Sequence, residues 1–198
     1  MTNIPHNPFT NRSTIKNEHD FVGREQEITN ILSRVRNGDS VSVVGDRRIG
    51  KSSLLYHLFL TGNRRLEDAA KARFKFIYLD LQEPRFATQA RFCQAVLHEI
   101  TAAPMEKKPP CDELEWLSLL SDALDGLKSQ QLLPVLLMDE FEKLVAKPAK
   151  KDDPPRFTDD CFNALRAFAN AHKLCMVTSS QRTLRELTEQ EGLTSPFW

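Results

Sequence analysis

One stretch, Gly45-Asp46-Arg47-Arg48-Ile49-Gly50-Lys51-Ser52, constrains this chain more than any other. It fits GxxxxGK[ST] and lies between a short apolar run, Val41 to Val44, and an amphipathic run that opens near Lys51. A strand, that loop and a helix together make a cradle for phosphate. Glycine lets the backbone curl until successive N–H groups converge on an anion, and the helix adds its positive end. The lysine then reaches the β and γ phosphates, and the hydroxyl of Ser52 is placed to ligate Mg²⁺. Gly45, Asp46, Arg47, Arg48, Ile49, Gly50, Lys51, Ser52 and Ser53 are therefore the candidate nucleotide-binding residues. The alternative, a glycine-bearing strand-to-helix turn with an incidental lysine, leaves the next motif unexplained.

That motif is Leu132 to Leu144, LLPVLLMDEFEKL, an apolar strand ending in carboxylates. Ligands of open α/β sheets bind at the carboxyl ends of the strands, which puts Asp139 at the phosphate end as a holder of Mg²⁺ through water. Glu140, one residue on, is the candidate base that orients or deprotonates the attacking water. Glu142 is a weaker choice, since the chain should have left the sheet there. An acidic cap on a following helix is the competing explanation. After the last apolar run comes VTSSQR, where Thr178, Ser179 and Ser180 are candidates to sense the γ-phosphate or its water, or else to cap a helix beginning near Arg182.

The periodicity supports an α/β architecture. Val41–Val44, Phe76–Leu81, Leu133–Met138 and Leu174–Thr178 read as buried strands. Helical stripes fall between them: Ile28, Ile31, Leu32 and Val35; Leu54, Leu55, Leu58 and Phe59; Phe92, Val96 and Ile100; Leu117, Leu120, Leu124 and Leu127; Cys161, Leu165 and Phe168. Strands alternating with helices predict a parallel sheet covered on both faces. The Pro/Lys segment 104–110 and KPAKKDDPP at 147–155 read as mobile loops. Residues 1–20 read as a polar arm with one apolar anchor at Asn7-Pro8-Phe9.

Composition narrows the function classes. The 198 residues carry 27 basic and 27 acidic side chains, so no whole-chain charge argues for a polybasic nucleic-acid binder. The charge is uneven, with 13 basic and 8 acidic residues up to position 75 and 14 and 19 beyond it, which suits an anionic ligand held by the front half. No apolar run reaches the roughly 20 residues of a membrane span and no secretory leader opens the chain, so the expected compartment is the cytoplasm. Cys93, Cys111, Cys161 and Cys175 have neither zinc spacing nor a disulfide framework and read as buried thiols.

These residues resemble the P-loop ATPases that carry an additional strand between the phosphate-loop strand and the metal strand. Within that group, Phe21-Val22-Gly23-Arg24-Glu25 is similar to the adenine-side box of the AAA+-related STAND signalling ATPases and of origin-recognition-type initiators. Similar proteins run NPF, FVGRE, GxRRxGKSSLL, DEFE and SPF, present here at 7–9, 21–25, 45–55, 139–142 and 195–197. The resemblance implies a P-loop NTPase fold with about five strands in the order 5-1-4-3-2, flanked by helices on both faces. It also implies adenine contacts from the backbone of Val22 and Gly23 with Phe21 packed nearby, although Phe21 and Val22 read equally well as a hydrophobic staple for a helix starting at Arg24. Arg24 itself could cap acidic neighbours.

Domain expectations follow: an arm over 1–20, then an ATPase core over 21–198 that stops where SPF would begin a lid or winged-helix segment. That ending reads as a fragment. An arginine supplied by a neighbouring subunit is expected, with Arg166, Arg182 and Arg185 as candidates. The function implied is a switch that binds ATP or ADP with Mg²⁺, hydrolyses slowly with Lys51 and Glu140 as catalytic residues and Ser52 and Asp139 holding the metal, and self-associates in response to nucleotide. A DNA-binding initiator module and a non-hydrolysing nucleotide-binding scaffold are the alternatives.

Overall fold

The computed structural model describes residues 13–66, 74–102, 113–146 and 157–191. The expected anchor at 7–9, the loops at 104–110 and 147–155, Cys111 and the SPF segment lie outside them.

Short, largely apolar runs bounded by turns or loops give four strands: β1 Val41–Val44, β2 Phe74–Asp80, β3 Leu133–Asp139 and β4 Cys175–Ser180. They form one sheet in the order β1-β4-β3-β2, with every pairing parallel. This is the expected order without its fifth strand, which is not found among the described residues. β2 opens two residues earlier than its apolar run suggests. Pairing with β3 from Phe74↔Leu133 through Asp80↔Asp139 decides its length, and side-chain polarity does not.

Seven helices complete the described fold: α1 Glu25–Arg36, α2 Lys51–Arg65, α3 Gln89–Thr101, α4 Glu113–Ser129, α5 Glu142–Val145, α6 Asp159–Asn170 and α7 Leu184–Glu191. Alternation along the strands sorts the core into two layers. Leu133, Val135 and Leu137 of β3 pack with Ile28, Ile31, Leu32 and Val35 of α1 and Leu54, Leu55 and Leu58 of α2. Leu136 and Met138 face the other way, against Phe92 and Val96 of α3, Leu120 and Leu124 of α4 and Leu165 of α6. The expected stripes are buried apart from Phe59, which is partly exposed on the flank of α2. Cys93, Cys161 and Cys175 are free and buried, and burial pushes the Cys175 thiol up to about 12.

α2 bears on what lies before the sheet. Its last turn carries Arg64, which pairs with Glu18, and Arg65, which grips Glu25 through bonds of 2.6 and 3.2 Å. The Arg65 guanidinium holds the Glu25 carboxyl below its usual value. Two adjacent arginines thus moor both the short 3-10 turn Glu18–Asp20 and the start of α1 to α2. No described helix is long and apolar enough to cross a membrane.

Candidate functional site

The carboxyl ends of β1, β3 and β4 meet through backbone bonds. Gly45 N–H donates to the Ser180 carbonyl at 3.2 Å, and Phe141 N–H donates to the Ser179 carbonyl at 2.9 Å. The loop after β1 curls at Gly50, whose φ of 94° is left-handed, and α2 starts immediately at Lys51. A cavity of about 610 Å³ lies here, lined by Ser13, Thr14, Ile15, Arg47, Arg48, Gly50, Lys51, Ser52, Ser53 and Glu140. Most of the phosphate-loop candidates and the candidate base therefore share one cavity.

Lys51 is largely buried, and its ammonium donates to the carbonyls of Gly45 at 2.7 Å and Asp46 at 3.0 Å. A charge-bearing donor satisfied by its own loop can exchange those bonds for phosphate oxygens at little cost. Ser52 lines the cavity. Ser53 points inward and accepts the backbone N–H of Ile15 at 2.9 Å, tying the arm to α2. Ile49 is half exposed at the tip.

Asp139 is 2% exposed and sits behind the cavity. Its Oδ1 accepts the Ser179 hydroxyl and, at 3.2 Å, the Glu140 N–H, while Oδ2 accepts the Tyr78 hydroxyl at 2.8 Å. Asp80 is its register partner at the tip of β2. Ser52 lines the cavity and Asp139 ends β3 behind it, two hard oxygens that make a donor set suited to Mg²⁺ held by one or two protein oxygens together with waters and phosphate.

Glu140 occupies a left-handed conformation, φ 57°, which aims its side chain back into the cavity and not along the strand. Burial, and then the charges of Glu142 and Asp139, push its carboxyl above the usual value, with Lys51 opposing. Six described non-glycine residues have positive φ. Ala102, Gln131 and His172 follow helix ends, where this conformation is ordinary. The other three, Arg24, Arg48 and Glu140, surround this site, where strain of about 1–2 kcal/mol each is retained. Glu142 opens α5, as its position past the sheet predicts, and its carboxylate oxygens are buried with no hydrogen-bond partner among the described residues.

The three sensor candidates separate. Ser179 holds both Asp139 and, at 3.2 Å, the Glu140 N–H. Thr178 lies on the opposite face of β4, fully buried, its hydroxyl without a partner among the described residues. Ser180 donates to the Arg182 carbonyl at 2.6 Å. None of the three lines the cavity, and the cap they were offered for belongs to Thr183, which exchanges bonds with Glu186 at the start of α7.

The adenine-side residues stand beside the cavity and do not line it. Phe21 stacks on His57 of α2, with centroids 4.3 Å apart, while Val22 is 87% exposed. Gly23 has φ 85°, which a side chain rarely adopts. Arg24 caps no acid among the described residues: its guanidinium donates to the Ile49 carbonyl and so links this box to the phosphate loop. Of the candidate trans arginines, Arg166 lines a groove at the opposite end of the sheet with Gly38 and Asp39, and Arg182 and Arg185 are exposed around the start of α7. Ser13 to Ile15, Tyr78 and the Arg24 link escape a reading of the sequence. Only a tyrosine two residues before the polar end of β2 offered any signal.

A parallel sheet with a phosphate loop after its first strand and an Asp-Glu pair two strands away defines a P-loop ATPase-like domain. A family model described as an AAA domain matches residues 35–188, and the chain belongs to that family. No curated protein matches it. Among solved structures, it is similar to the ORC1 protein of Aeropyrum pernix in complex with DNA, with a TM-score of 0.62 and 13% identity over 87% of this chain and 50% of that one. The ORC2 protein of the same organism, in ADPNP–ADP complexes, gives 0.62 and 14% over 95% and 49%. A Walker-type ATPase of Pyrococcus abyssi gives 0.60 and 16% over 95% and 54%. The chain thus spans about half the length of these structures.

Proposed function

We propose that this domain binds ATP or ADP with Mg²⁺ in the 610 Å³ cavity and hydrolyses ATP slowly, as a nucleotide-controlled switch of the STAND signalling type. The observation that carries the reading is the convergence of Lys51, Ser52 and Glu140 on one cavity with Asp139 directly behind it. A bound Mg²⁺ would supply neutralisation of the charge that develops on the phosphates. The protein's share is then positional. Lys51 and the loop N–H groups bind the β and γ phosphates, Ser52 and Asp139 hold the metal, and Glu140 accepts a proton from the attacking water. Arg24, anchored to Ile49, couples the segment at Phe21 to Gly23 to the state of the loop, so base contacts there would be transmitted to the phosphate site. An arm over 1–20 and an ATPase core over 21–198, and self-association of the full-length protein in response to nucleotide, belong to the same proposal.

The direct test is Lys51→Ala. Its ammonium faces loop carbonyls and not the core, so calorimetry should show at least a tenfold loss of ATP affinity with unchanged helicity. Equal affinity in the two proteins overturns the assignment.

An initiator-type DNA module is the second reading, supported by the likeness to a protein solved in complex with DNA. The neutral net charge opposes it. Titration with duplex DNA separates the two: dissociation constants of about 10⁻⁴–10⁻⁶ M at physiological salt mark non-specific contact, and about 10⁻⁸ M or tighter marks a DNA module.

A further inference from the structure

We infer that Tyr78 is a positioning residue for the metal: its hydroxyl fixes the Asp139 carboxylate in the orientation that receives Mg²⁺. The inference rests on the nucleotide reading above. Tyr78 lines no part of the cavity and acts only through Asp139, to whose Oδ2 it donates at 2.8 Å. The opposite oxygen is held by the Ser179 hydroxyl and the Glu140 N–H. The carboxylate is therefore gripped from both neighbouring strands, β2 on one side and β4 on the other. A buried carboxylate retains about four acceptor sites, and three donors occupy three of them, which leaves a single direction for a metal-bound water.

The tyrosine is itself held. Its ring meets Tyr56 edge-on, with centroids 5.2 Å apart, and Phe59 at 6.4 Å, both on α2 within two turns of Ser52. One packed unit therefore joins the helix that carries one metal-facing oxygen to the strand pair that carries the other. Outer-shell donors of this kind orient ligands, and losing one typically costs about 10–100-fold in metal affinity.

The experiment is a Mg²⁺ titration of ATP binding, followed with a fluorescent ATP analogue, in the whole chain and in Tyr78→Phe, which keeps the ring and removes the donor. The half-saturating Mg²⁺ concentration should rise about tenfold or more. Affinity for the analogue in EDTA should stay within twofold, a split that a merely structural role would not produce. An unchanged Mg²⁺ midpoint overturns the inference, and so does an equal loss with and without metal. Failure of the unaltered chain to bind the analogue at all overturns the nucleotide reading and this inference with it. Should Tyr78→Phe fail to fold, Tyr56→Phe leaves Tyr78 as the sole tyrosine of the chain. Labelled with 3-fluorotyrosine, it should show a ¹⁹F resonance that moves when Mg²⁺ joins bound ATP. A resonance indifferent to Mg²⁺ overturns the inference.

Discussion

Glu140 shows how one residue's backbone sets its chemistry. Period-two alternation would send it to the face opposite Asp139, but φ 57° ends the strand and turns the carboxylate into the cavity. There, burial and two acidic neighbours make its proton harder to remove. A base must be ionised, so the acid limb of kcat/KM for ATP hydrolysis should lie above the ordinary carboxylate range, and Glu140→Gln should lose most turnover while keeping affinity for ATP with Mg²⁺. Wild-type turnover in that variant would transfer the role to Glu142. Stability runs in the opposite sense. A carboxyl whose folded pKa is raised contributes stability that is fully present below about 4.5 and is lost as pH rises through the folded value. At neutral pH, Glu140→Gln should therefore melt no lower than the unaltered chain. A clear drop in Tm would mean that the carboxylate is a structural anchor.

At the scale of elements, α2 connects the phosphate loop to the sheet, and its fit is tight at one point. Gly62 lies against Phe76 of β2, where an added Cβ would come within 2.7 Å of the ring. Replacing glycine by alanine in a helix interior ordinarily gains about 1 kcal/mol, whereas overpacking a core costs about 1–3 kcal/mol. Phe76 is 6% exposed and paired within the sheet, so it has little room to yield. Gly62→Ala should then lower stability in urea, with a loss of about 1 kcal/mol net. Gly126 of α4 meets nothing within 4 Å, and Gly126→Ala should raise stability by up to about 1 kcal/mol. The pair is best measured together, since a gain in stability for both would show that propensity and not packing governs α2.

Across the whole molecule, the described residues wall the cavity with the phosphate loop, Glu140 and the strip Ser13–Ile15. The arginines that line it, Arg47 and Arg48, belong to the loop itself, while Arg166 lies at the far end of the sheet. No described guanidinium from outside the loop lines the cavity, where charge develops in the transition state. The isolated chain should bind nucleotide as a monomer and turn over well below about 1 s⁻¹, the low end of typical enzymes. Turnover per chain should rise with protein concentration once a second copy supplies an arginine. Many turnovers per second by a monomer in sedimentation would show that the chain needs no partner.

The sequence by itself determined the four described strands, the helices that carry an apolar stripe, and the loop pattern from which the phosphate site is proposed. A buried strand needs an unbroken apolar run, an amphipathic helix needs its stripe, and a phosphate loop needs its glycines and lysine at fixed spacing, so β1, α2 and the loop between them begin and end where those local rules require. The strand order of the four described strands was also legible, through a resemblance that joins motifs distant in the chain, and the place of Asp139 through the rule that ligands bind at the carboxyl ends of parallel strands. The tertiary structure alone decided which side chains close the site. Tyr78 reaches Asp139 because β2 and β3 pair in one register, Ser179 outranks Thr178 because alternation along β4 faces it toward Asp139, and Arg24 meets Ile49 only once α1 has packed on α2. Contacts between residues 25 to 61 positions apart depend on register and packing, which no local pattern encodes.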